Sequence, residues 1–114
     1  MKRLEDIDLT PNQRQALAEI RRRLTDEFGM ESLVLYGSVA RGEADGESDI
    51  DLLVVVPRPF TRQWRHGITD AVFEINLKYD TNFSTLVVDR ASWETGLISV
   101  MPIREEIVRD GVRV

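Results

Sequence analysis

The chain of 114 residues contains no cysteine. That removes a disulfide framework and any thiolate metal site. It has one histidine, His66, which stands beside Gly67 and reads as an exposed or satisfied side chain without a catalytic role. No apolar run approaches the ~20 residues that a membrane span needs. Met1 to Asp8 is charged and has no apolar stretch of the kind a secretory signal requires. A cytoplasmic protein without membrane attachment is therefore expected. A basic excess is also missing: 15 Lys and Arg face 20 Asp and Glu, for a formal charge of −5 and a pI near 4.9. This balance argues against a general basic surface that grips long nucleic acid, and leaves room for a local basic patch. No repeat, low-complexity segment or linker is evident. What remains is the composition of one soluble domain, residues 1–114, with a single modest core.

Thr10-Pro11-Asn12-Gln13 reads as a helix start, with Thr10 as N-cap, Pro11 in the first turn and Gln13 completing a capping box. Leu17, Ile20, Leu24 and Phe28 follow at helical spacing, and Gly29 is the expected stop. Arg21, Arg22 and Arg23 on this helix read as a solvated face among Glu19, Asp26 and Glu27. Leu33 to Tyr36 predicts a strand, and Ser38 to about Ala44 a short helix. The acids of 43–47 read as solvated loop charges. Asp49 to Val56 predicts a second strand, whose tail Leu52-Leu53-Val54-Val55-Val56 is apolar on both faces, as in a covered central strand. Pro57 and Pro59 end it. Thr61 to Tyr79 has helical apolar spacing at Trp64, Ile68, Ala71, Val72, Ile75 and Tyr79, despite Gly67. Trp64 reads as core or interface. Phe83 to Val88 predicts a third strand, Ser92-Trp93 a short helix, Pro102 to Gly111 another, and Val112 to Val114 a terminal strand. The order predicts a small α/β (α+β) fold: a mixed sheet with helices packed mainly on one face.

Two stretches carry the chemistry. Leu33 to Tyr36 runs into Gly37-Ser38-Val39-Ala40-Arg41-Gly42. Ten residues after Ser38 comes Ser48-Asp49-Ile50-Asp51-Leu52. In a strand, Asp49 and Asp51 at i and i+2 share one face, roughly 6.5–7 Å apart. Two acids so placed suit a pair of Mg²⁺ ions about 3.5–4 Å apart, the arrangement for in-line displacement at phosphorus. Acids entering an apolar strand need a partner or a metal. Gly37 lets the backbone approach a phosphate. A helix starting near Ser38 would present free amides to phosphates, and the Ser38 hydroxyl adds a donor. Arg41 is a candidate phosphate-binding cation, or alternatively one half of a helix-surface ion pair.

This block resembles the motif G-S-x(10)-D-x-D of the DNA polymerase beta-like nucleotidyltransferase superfamily, and more closely its minimal single-domain members, the MNT proteins often paired with HEPN proteins. The likeness covers roughly Leu33 to Asp89. It implies the mixed-sheet nucleotidyltransferase core, with Asp49 and Asp51 as catalytic metal ligands and Gly37, Ser38 and Arg41 on the nucleotide. It also implies Mg²⁺, two ions, and ATP or another nucleoside triphosphate. The implied reaction moves AMP to an acceptor hydroxyl, with a HEPN-type protein as the expected partner in a toxin–antitoxin pair. Catalytic members usually carry a third carboxylate on the strand after the long helix. Here that strand reads Asn82-Phe83-Ser84-Thr85-Leu86-Val87-Val88-Asp89. Ser84 or Asn82 stands near the usual place, and Asp80 lies just before it. The alternative function is an antitoxin-like subunit that binds nucleotide with weak transfer or none and acts by contact. With only about 25 residues after the third strand, a second core for the acceptor does not fit. The acceptor is expected on another chain, or in a pocket between two copies of this one.

Overall fold

The computed structural model describes residues 2–43 and 48–114. Thr10 caps helix α1, Pro11–Phe28: its hydroxyl accepts the Gln13 amide at 3.1 Å, and Gln13 Oε1 accepts the Thr10 amide at 2.9 Å. Ala16, Leu17, Ile20 and Leu24 are buried along one stripe. Gly29 closes the helix at φ 66°, the left-handed conformation that glycine adopts cheaply. Arg23 bonds Glu27 and Glu74, so part of the expected solvated arginine face ties α1 to the next long helix.

Strand β1 spans Ser32–Tyr36. Helix α2 is shorter than expected, Ser38–Arg41. Gly42 is left-handed at φ 74°, its amide bonds the Val39 carbonyl, and the Glu43 amide bonds the Ser38 carbonyl. These bonds satisfy the carbonyls of the last turn and end the helix there. Ala44, Asp45, Gly46 and Glu47 lie outside the described residues. Strand β2 is Ile50–Val56, with Asp49 just before its first residue. Helix α3 is Arg62–Tyr79, capped by the Thr61 hydroxyl on the Trp64 amide. Gly67 is tolerated inside α3 because the Phe28 ring lies against it; a β-carbon there would fall 2.9 Å from Phe28 Cε1. Strand β3 is Phe83–Asp89, followed by α4 (Arg90–Glu94), a 3₁₀ turn (Leu97–Val100), α5 (Pro102–Asp110) and β4 (Val112–Arg113).

The four strands form one mixed sheet in the order β3-β2-β1-β4. β1 is antiparallel to β2 and β4; β2 and β3 are parallel, with α3 as the crossover between them. Leu52 to Val56 is buried throughout, as the apolar run predicts for a strand paired on both sides. Alternation sends Leu33, Leu35, Leu52, Val54 and Val87 into a core of 22 buried residues under α1 and α3. It sends Leu53, Val55 and Val88 to the other face, where four buried residues, Ile107 of α5 included, make a thin second layer. At roughly 1.5–3 kcal/mol for each large apolar side chain buried, the first face holds the sheet together. The thinner face is the one on which the aspartates stand.

Candidate active site

Because β1 and β2 run antiparallel, the end of β1 lies beside the start of β2. Tyr36 is opposite Asp51 on one side, and Ser84 of β3 is opposite Asp51 on the other. Residues directly opposite share a face. Tyr36, Asp51 and Ser84 therefore sit in a row across three strands, with exposed Asp49 one step out along β2.

The Gly-Ser turn meets this row. Gly37 has φ 83° and ψ −159°, a region open essentially to glycine alone. A β-carbon on Gly37 would stand 2.4 Å from Asp51 Oδ2. The turn and the carboxylate are thus in direct contact, and the space a side chain would fill holds a carboxylate oxygen. Ser38 follows as the first residue of α2.

On the other side, neutral donors meet the acids. Ser84 Oγ donates to Asp51 Oδ1 at 3.0 Å, and the Asn82 side-chain amide donates to Asp49 Oδ1. The Ile50 amide bonds the Asn82 carbonyl at 2.9 Å, which locks β3 to β2 here. Asn76 of α3 sets this register. Its Oδ1 accepts from the Phe83 amide and the Thr81 hydroxyl, and its Nδ2 donates to the Phe83 carbonyl, each at 3.0 Å. Asp80 is the exposed left-handed cap of α3, at φ 54°, and its side chain has no partner among the described residues. Of the positions weighed for the third acid, Asn82 and Ser84 touch the paired aspartates.

Arg41 is occupied. Its guanidinium pairs with Glu43 at 3.0 Å and with Glu106 of α5 at 3.0 Å, with Asp110 at 3.9 Å. The Glu43 bond, with help from Glu106, raises its pKa further. In this structure Arg41 ties α2 to α5, the ion-pair alternative. Tyr36 had no assigned role in the sequence. Burial raises its phenol pKa, and the charges of Asp51 and Glu106 raise it further. Its position beside Gly37 was the available signal. Glu106 gave none, since only the packing of α5 brings it here.

Among the described residues no three acids or histidines are grouped to hold a metal ion. Two carboxylates with hard oxygen donors beside the glycine turn, Asp49 exposed and Asp51 half-buried, suit a Mg²⁺ that keeps waters and takes phosphate oxygens as further ligands.

Residues 17–112 match the nucleotidyltransferase domain family. The chain belongs to that family. Two proteins of Methanocaldococcus jannaschii, each proposed as a protein adenylyltransferase, are similar in sequence. One is 34% identical over 58 residues, covering 51% of this chain and 59% of the relative. The other is 38% identical over 77 residues, covering 64% and 52%. The chain thus matches little more than half the length of each relative. A proposed nucleotidyltransferase from Sulfolobus solfataricus shares the fold with a TM-score of 0.59 and 22% identity, covering 87% of this chain and 76% of that one. So does a toxin–antitoxin complex with AMP-PNP, at TM-score 0.58 and 15% identity, covering 91% and 72%. A tri-AMPylated HEPN toxin of Shewanella oneidensis in complex with its MNT antitoxin matches at TM-score 0.50 and 16% identity, covering 90% and 67%.

Proposed function

We propose that this nucleotidyltransferase-family chain transfers AMP from ATP to a hydroxyl on a partner protein. The observation that carries this reading is the contact between Gly37 and Asp51, which joins the Gly-Ser turn to a pair of carboxylates. Gly37 and Ser38 would hold the β- and γ-phosphates, and Asp49 and Asp51 would hold Mg²⁺. The metal supplies charge neutralisation at the phosphates when bound. The acceptor oxygen bonds to the α-phosphorus, the bond from phosphorus to the bridging oxygen breaks, pyrophosphate leaves, and the hydroxyl proton passes to water. The relatives proposed as protein adenylyltransferases and the AMPylated HEPN toxin favour a protein acceptor, of HEPN type. Docking of the acceptor chain would supply the proximity that transfer needs.

A second reading has its own observation. Ser84 and Asn82, both neutral, pair with the two aspartates where a third acid usually helps hold metal. Neutral oxygens hold Mg²⁺ more weakly than carboxylates. A subunit that binds Mg-ATP and acts on its partner by contact alone would need no more than this. Intact masses of a HEPN-type partner after incubation with this chain, ATP and Mg²⁺ separate the two. Addition of AMP to the partner supports transfer. Calorimetric binding of ATP with an unmodified partner supports the binding subunit.

A further inference from the structure

The opposite end of the sheet holds a second cavity. It measures about 390 Å³ and is open to solvent on one side. Phe28, Pro57, Arg58, Pro59, Phe60 and Trp64 supply most of its wall. The Trp64 ring lies edge-on to Phe28 at 5.7 Å and tilted on Phe60 at 5.6 Å. All three rings are only partly buried, so each backs on the core and leaves part of itself to the cavity. Gly67 fixes this arrangement, because any side chain there would push Phe28 away. Val56, at this end of β2, is five residues from Asp51, or about 16 Å along a strand. The cavity is not part of the nucleotide site.

The segment that supplies most of this wall differs in charge from the whole chain. From Pro57 to Thr69 there are three arginines and no acid, in a chain of net charge −5. Arg58, Arg62 and Arg65 are exposed. None of them has a carboxylate partner or a side-chain hydrogen bond among the described residues. Arg22, Arg23, Arg41, Arg90 and Arg109 each have an acidic partner. Arg58 lines the aromatic cavity, and Arg62 and Arg65 belong to the turn of α3 that supplies Trp64, so unpaired cations and open rings together suit an anionic, ring-bearing ligand.

We propose that this cavity docks an acidic segment of a partner protein, with one aromatic side chain laid in the cavity against the open parts of these rings and flanking carboxylates on Arg58, Arg62 and Arg65. A volume of this size sits at the small end of ligand sites and admits about one large side chain. A nucleic acid strand fits less well. It would continue as a polyanion past three arginines onto a surface with twenty acids, and the counterion gain would be lost. The docking stands apart from nucleotide transfer and does not require it.

Titration of the full chain with a capped peptide of sequence Glu-Glu-Phe-Glu-Glu, followed by amide and indole NMR, tests the proposal. The expected result is saturable shifts of the Trp64 indole and of amides 57–66, weakened at least tenfold by Arg58→Glu with Arg62→Glu, and weakened again at high salt. The variant Asp49→Asn should bind the peptide like the wild type. The proposal is overturned if a Gln-Gln-Phe-Gln-Gln peptide or a uridine oligonucleotide binds the same residues as tightly. It is overturned equally if the acidic peptide gives no shift at millimolar concentration, or shifts only the Asp49–Asp51 end.

Discussion

Gly37 and Asp51 are fitted to each other: the carboxylate Oδ2 lies within clash distance of the place where a β-carbon of residue 37 would stand. Gly37→Ala therefore faces two penalties, a clash with Asp51 and a positive φ of 83°. Strain of this kind costs on the order of 1–3 kcal/mol. The expected outcome is an unfolding free energy lowered by that amount, read as a lower urea midpoint, and loss of nucleotide binding, because the turn can relax only by moving off the carboxylate. A variant with wild-type stability and ATP affinity would show that the turn has room the geometry denies it.

Ser84 stands opposite Asp51 and donates to it, so it is the position at which an acid should matter. Ser84→Asp should raise Mg²⁺ affinity, read by calorimetry, by adding a third carboxylate to the row. In the absence of metal it should lower stability, because it replaces a hydrogen bond with like-charge repulsion. Asp80→Asn should change neither, since Asp80 closes α3 and its side chain bonds neither aspartate. The reverse pattern, with Asp80→Asn abolishing metal affinity and Ser84→Asp silent, would place the third ligand on the cap.

Arg41 can serve phosphate only if its guanidinium gives up Glu43 or Glu106. A solvent-exposed ion pair is weak, so its release is cheap. Glu106→Gln should strengthen Mg-ATP binding by no more than about fivefold, measured by calorimetry, while Arg41→Ala weakens it. If neither substitution alters ATP affinity, Arg41 is a tie between α2 and α5 and nothing else.

Asp89 links β3 to α4. Its carboxylate accepts from the Ser92 hydroxyl at 2.8 Å and the Ser92 amide at 3.1 Å. The hydroxyl bond first, then the amide bond, hold its pKa below the ordinary value. A depressed carboxylate stabilises the fold above its unfolded pKa of about 3.9, and that contribution is lost as pH falls through the lower folded value. Asp89→Asn keeps a good cap, so its stability at pH 7 should fall only slightly, while the acid limb below about pH 4 flattens. Asp89→Ala should lose roughly 0.5–2 kcal/mol at pH 7. Denaturant melts at pH 2.5, 4 and 7 check both.

The parts of this fold that local chemistry dictates were legible in the sequence. Thr10, Pro11 and Gln13 state a helix start in side-chain terms, and the structure makes both bonds of the box. The apolar run from Leu52 to Val56 states a covered central strand, and β2 is paired on both sides. The pairing register was not legible. That Ser84 meets Asp51 depends on Asn76, whose three bonds fix where β3 begins, and nothing in the pattern of Asn76 itself announces this. The end of α2 falls about a turn before the expected one, because Gly42 takes the left-handed conformation and stops the helix. Glu106 was invisible for a similar reason. Its nearness to Arg41 comes from the way α5 folds back on the thin face of the sheet, over 60 residues along the chain.

The central claim is that Asp49, Asp51 and the Gly37-Ser38 turn form one site for nucleotide transfer. Its most direct test is label transfer from α-³²P-ATP to a HEPN-type partner, run with γ-³²P-ATP in parallel and with Asp49→Asn/Asp51→Asn as the control. The account predicts Mg²⁺-dependent label on the partner from the α-labelled nucleotide only. The double variant should transfer nothing and retain its fold, since neutralising two crowded acids removes repulsion and no packing. Label from the double variant at the wild-type rate, or label arriving from the γ-phosphate, would contradict it.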